Sequence, residues 1–127
     1  MKRSFVASSL VVALTSFLST AYAAQYPKDI QGDWINVDTP AKEVKDTCKN
    51  FPPLSITAND ATFSTEASCR AVKVSGKDGK YTITESCSSE GGKGKRAQNY
   101  EVNGDIITIG GAKDKKENYW KMKRCAK

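Results

Sequence analysis

The sequence contains no histidine. The commonest general base is therefore missing, along with one of the two main zinc-ligand types, and acid–base chemistry would fall to carboxylates alone. Almost none of the acids lies in an apolar run that would shift its pKa usefully. Glu85, in the strand Tyr81 to Ser86 on the face assigned to the core, is the exception, and it is expected near the open end of the sheet, paired with Arg70 or a lysine. There is no CxxC pair, no GxSxG and no Ser-Lys arrangement on a recognisable element. Gly91-Gly92-Lys93-Gly94-Lys95-Arg96 lacks the strand and the GxxxxGK[ST] frame of a phosphate-binding loop. These absences argue against an enzyme and predict neither a metal site nor a cofactor.

Long apolar runs are also scarce. The one that stands out, Phe5 to Leu18, follows Lys2 and Arg3 and precedes Ala21-Tyr22-Ala23. A short basic start, an apolar stretch diluted by Ser and Thr, and a small-x-small site read as a secretory signal over residues 1–23, cleaved before Ala24. About 20 predominantly apolar residues are needed to span a bilayer, so no membrane anchor is expected after cleavage. The first cysteine, Cys48, is too far from that site to be lipidated. The pattern looks bacterial, which points to the periplasm or to secretion. Removing 23 of the 127 residues, with two basic charges and no acidic ones, leaves 104 residues and lowers the net charge from +6 to +4. Residues 24–127 suffice for one domain.

Cys48, Cys69, Cys87 and Cys125 all lie in the exported part, and four cysteines in an oxidising compartment predict two disulfides. Helical periodicity is absent over long stretches. Short alternating runs between turn residues recur instead, the pattern of an all-β chain. Asp33 to Val37, Leu54 to Thr57, a long bent or bulged strand from Thr62 to Val74, Tyr81 to Ser86, Ala97 to Val102, Asp105 to Ile109 and Tyr119 to Cys125 make about seven strands. Ala41 to Asp46 has room for one helical turn. Asp78-Gly79 and Asn103-Gly104 are hairpin turns, and Ser88 to Lys95 reads as a flexible Gly-rich loop. A small antiparallel meander, closed or nearly closed into a barrel, satisfies these elements because closure removes exposed edges. Pairing around Asp78-Gly79 sets Arg70 opposite Cys87, so without a bulge Cys69 and Cys87 face opposite ways. That favours Cys48–Cys69 with Cys87–Cys125 among the three connectivities.

Gly32-Asp33-Trp34 resembles the GxW that opens the first strand of lipocalin-like (calycin-type) barrels, and the chain is similar in outline to small bacterial periplasmic barrels such as metalloprotease inhibitors. The resemblance implies that Trp34 plugs one end of the barrel under a basic side chain near the end of the last strand, Lys123 or Arg124. The chain is shorter than a lipocalin and lacks the helix before the last strand, which argues against a deep ligand cup.

Positive charge gathers late in the chain, at Lys93, Lys95, Arg96, Lys113, Lys115 and Lys116. Placed on exposed loops, these residues would engage a partner protein or another anionic macromolecule in the envelope or medium. Export and the missing interleaving of aromatic and basic residues argue against nucleic acid. Tyr26 and Pro27 form an N-terminal arm that either inserts into a partner's cleft or stays a disordered leader. Trp34, Tyr81, Tyr119 and Trp120 read as core. The sequence thus points to a non-enzymatic binding module, with inhibition of a hydrolase (a protease or a lysozyme) as its most concrete form. The alternative is a small-ligand carrier that uses the barrel interior.

Overall fold

Most strands turn apolar residues to one face, and a sheet with one such face must curl to bury it. The computed structural model describes residues 24–64, 67–111 and 119–126. Its strands are β1 (Gly32–Asn36), β2 (Leu54–Ile56), β3 (Ala61–Phe63), β4 (Ala67–Lys77), β5 (Lys80–Ser89), β6 (Gly92–Asn103), β7 (Ile106–Gly111) and β8 (Trp120–Arg124). Each pairs antiparallel with its neighbour in sequence, and β8 returns to pair with β1, closing the barrel. The fold is the all-β meander expected, fully closed. The signal and its cleavage site, residues 1–23, lie outside the described residues.

The barrel has two unlike ends. At one, the turns 57–60, 77–80 and 103–106 meet the N-terminal segment, whose 3-10 turn Lys28–Ile30 crosses the opening. At the other, β1 leads into helix α1 (Ala41–Asn50) and β5 turns into β6. Asp78 and Gly79 hold φ at 55° and 82°, the two positive values that a tight hairpin turn of this type requires. The second hairpin turns one position later than expected: Asn103 and Ile106 are paired, and Gly104-Asp105 is the loop.

Four expectations are corrected. The stretch from Thr62 to Val74 is two strands, β3 and β4, because the chain turns after Phe63, which then pairs with Leu54 on one side and Ala67 on the other. Ser88 to Lys95 is not a loop: β5 and β6 stay paired out to Ser89 and Gly92, so the ladder carries the glycines as strand residues. The Ala41 region forms a helix of ten residues rather than one turn. No residue of that helix is buried, and its Cys48 is bonded to Cys125 after β8.

The fourth correction is the disulfide map, which is Cys48–Cys125 and Cys69–Cys87. From the turn up to Lys73 the hairpin follows the expected register, but the pairing then jumps from Lys73 with Thr84 to Ala71 with Glu85. Val72 is the extra, unpaired residue, a bulge, and it is exposed. The shift by one brings Cys69 opposite Cys87 instead of Arg70. It also turns Cys69 and Ala71 inward, to the face that Ile83 and Glu85 occupy on β5.

If Val72 is only the extra residue of that bulge, its deletion leaves every other β4–β5 pair intact. The Val72 deletion variant should fold and keep the Cys69–Cys87 bond, read by peptide mapping without reduction. Scrambled or free cysteines would show that the pairing depends on Val72 itself.

Candidate functional site

The barrel axis is filled from the 3-10 end by large side chains. Trp34, Tyr26, Ile30 and Tyr100 are buried, and the Trp34 indole N–H donates to the Ile30 carbonyl at 3.0 Å. Arg124 lies over the Trp34 ring, its Cζ 4.2 Å from the centroid, and donates to the Gln31 and Asp29 carbonyls, each at 2.8 Å. Last strand, first strand and N-terminal segment are thereby clamped together. Tyr26 is no exposed arm. It is 1% exposed, and its backbone N–H donates to the Ala58 carbonyl. An aromatic residue two positions into the expected mature chain fills the protein's own barrel because apolar area buried there is removed from water.

Tyr26 reaches Glu85, which is fully buried (0% exposed) and inward-facing on β5. Its Oε1 accepts from the Tyr26 hydroxyl at 3.2 Å and from the Tyr100 hydroxyl, and its Oε2 accepts from Arg96 Nε at 3.1 Å. The sequence had suggested an exposed pair with Arg70 or a lysine, but Glu85 shares the inward face of β5 with Ile83, and the bulge at Val72 leaves Arg70 outside. Burial holds both tyrosines well above their ordinary pKa of 10.0, with the nearby Glu85 charge and its hydrogen bonds pushing in the same direction. A carboxylate accepting from three donors and closed off from solvent is a brace for its partners, poorly placed to shuttle protons. Cys69, Glu85 and Cys87 bring three ligand-type atoms within 4.8 Å of one another, but the two sulfurs are bonded together and hold no charge for a cation.

Arg96 carries the arrangement toward the end where β5 turns into β6. Its Nη2 donates to Cys69 Sγ at 3.5 Å, and its guanidinium lies 4.9 Å from the centroid of Phe63. Trp120, from the start of β8, packs on Phe63 with ring centroids 6.1 Å apart. Phe63 is buried, yet Trp120 is 56% exposed although it shares a face with buried Met122. Pro53, Leu54, Phe63, Trp120 and Met122, with Asn36, line a cleft of about 300 Å³ at this end. Phe51, two residues before Pro53, is 77% exposed.

Of the residues expected to bind a partner, Lys93 and Lys95 are exposed on β6. Arg96 is not a loop residue: it points inward and is committed to Glu85. Lys113, Lys115 and Lys116 lie outside the described residues. Sequence reasoning missed the mouth of the barrel because it assigned Trp120 to the core. The available signal was position: Trp120 opens its strand, where an inward-facing residue sits at a rim. Comparisons with protein-family profiles, with curated proteins and with solved structures found no match. Among the described residues no helix is long and apolar enough to cross a membrane.

The tyrosines give a pH signature. The folded chain keeps both protons above pH 10, whereas the unfolded chain releases them. Stability present below pH 10 is therefore lost as pH rises past it, at about 1.4 kcal/mol per pH unit for each tyrosine. Urea unfolding from pH 9.5 to 11.5 should show this slope, and Tyr26→Phe should remove about half of it. An unchanged slope in the variant would mean that Tyr26 ionises in the folded protein.

Proposed function

We propose that this protein is an exported, non-enzymatic binding module that engages a partner protein at the open end of the barrel, with inhibition of a secreted hydrolase as its most concrete form. The observation that carries the proposal is a contrast between the two ends. One is sealed by Tyr26, Ile30, Trp34 and Arg124, and the other exposes Trp120 on an apolar cleft, with Phe51 exposed two residues before the Pro53 of its lining. Partner interfaces concentrate their energy in aromatic and arginine anchors beside well-packed pockets. Here Trp120 is positioned by Phe63, Phe63 by Arg96, and Arg96 by Glu85, so the surface is ordered before any partner arrives. Such preorganisation reduces the entropy lost on binding. Two disulfides suit an oxidising compartment, in line with a periplasmic or secreted protein. The stack of Arg124 on Trp34 supports the lipocalin-like reading of the Gly32-Asp33-Trp34 motif.

The carrier reading moves from the barrel interior, which side chains occupy, to the mouth cleft. At about 300 Å³ that cleft is at the lower limit of small-molecule pockets, roughly 300 to 1,000 Å³. Its size better suits one side chain offered by a partner.

Mature protein should be assayed against secreted proteases and lysozymes, with inhibition at near-stoichiometric concentrations expected for one enzyme. Trp120→Ala should then weaken inhibition by about 2 kcal/mol or more, roughly thirtyfold, with little loss of fold stability since the ring is largely exposed. Equal inhibition by the variant would remove the mouth from the interface. An apolar small molecule found in the purified protein by native mass spectrometry, with no enzyme inhibited, would favour the carrier.

A further inference from the structure

The outer face of the same hairpins carries a second, chemically different arrangement. Because Cys69, Ala71, Glu85 and Cys87 point inward, the residues between them point out. Cross-strand pairing then aligns two rows over β4, β5 and β6. One row is Ser68, Ser88 and Lys93, and the other is Arg70, Ser86 and Lys95. Adjacent strands lie about 4.8 Å apart, and the rows about 7 Å apart along the strands. Three cations therefore surround three hydroxyl groups within the reach of their long side chains. Ser68, Arg70, Ser86, Ser88 and Lys93 line a cleft of about 260 Å³, with Asp60 as its one acidic residue. No carboxylate of the described residues lies within 4.0 Å of the charged ends of Arg70, Lys93 or Lys95.

We infer that this face is a binding site for a phosphate-type oxyanion, held by Arg70, Lys93 and Lys95 with Ser68, Ser86 and Ser88 as hydroxyl donors. A carboxylate has two oxygens, and an arginine fork already engages both, so it leaves less capacity for the ammonium groups and three hydroxyls. A phosphate presents more acceptor oxygens and takes the fork, the ammonium charges and the hydroxyls together. Serine at the other three positions of the two rows leaves room for the anion to approach the sheet. Arg96, although next to Lys95 in sequence, takes no part, since it is bound to Glu85 on the other side of the sheet. The site does not depend on the mouth of the barrel or on the function proposed for it.

The same phosphate chemistry is offered by a soluble phosphate compound and by an anionic lipid headgroup, and two measurements distinguish them. In the first, ¹⁵N-labelled mature protein is titrated with inorganic phosphate and, at matched ionic strength, with chloride. Saturable shifts confined to Ser68, Arg70, Ser86, Ser88, Lys93 and Lys95 are expected with phosphate only. Arg70→Ser combined with Lys93→Ser should weaken binding about tenfold or more while the rest of the spectrum is unchanged. Asp60→Asn should tighten it, and Trp120→Ala should leave it unaltered. In the second, cosedimentation with phosphatidylglycerol but not phosphatidylcholine vesicles, lost in the double variant, identifies the headgroup. Saturation by phosphate without vesicle binding identifies a soluble source. Phosphate shifts that match those with chloride, or that map elsewhere, would overturn the inference.

Discussion

A carboxylate removed from water must be met by donors that were themselves removed from water, and Glu85 is such a group. Isolated burial of an ionised carboxyl is prohibitively unfavourable, so the side chain constrains whatever surrounds it. Its partners come from opposite ends of the molecule. Tyr26 arrives from the N-terminal segment, Tyr100 from the middle of β6, and Arg96 from the half of β6 nearest the mouth. The plug at one end and the aromatic cluster at the other are thus tied to a single acceptor. The second row of contacts follows from the first. Once Arg96 is fixed by Glu85, its guanidinium lies over Phe63, and Phe63 sets where Trp120 rests.

How legible this was in the sequence depends on the range of the interaction. Asp78-Gly79 announced its hairpin because the signal is local: few residues other than Gly, Asn and Asp tolerate positive φ. The stretch from Thr62 to Val74 also read as bent or bulged, which marked a break in the long strand. That reading did not say that the break is double, a turn after Phe63 and a bulge at Val72. That bulge decides whether Cys69 faces Cys87 or the outside, so the disulfide map was out of reach of a regular ladder. The glycines from Gly91 to Gly94 misled for a different reason. Low strand propensity predicts a loop, but pairing along the whole of β5 overrides local preference. Tyr26 was read as an arm and Glu85 as half of an ion pair near the end of the sheet, since their meeting spans 59 positions and nothing local reports it.

The consequence for function is a division of labour across one sheet. Along β6, side chains alternate between the half-buried, inward-facing Arg96 and the exposed cations, Lys93 and Lys95. Charge that looked like one basic cluster in the sequence is therefore two features, one structural and one free to meet an anion. The exposed aromatic mouth stands apart from both, positioned by the brace without sharing its charge.

The central claim is that Glu85 couples the two ends of the barrel. Amide hydrogen exchange in Glu85→Leu, which removes all its acceptors at similar volume, tests this most directly. The account predicts that protection falls together at Tyr26, Ile30 and Gln31 and at Phe63 and Met122, on opposite ends, while β7 keeps its protection. Loss confined to β5 and its immediate strand partners, with both ends as protected as in the wild type, would contradict it.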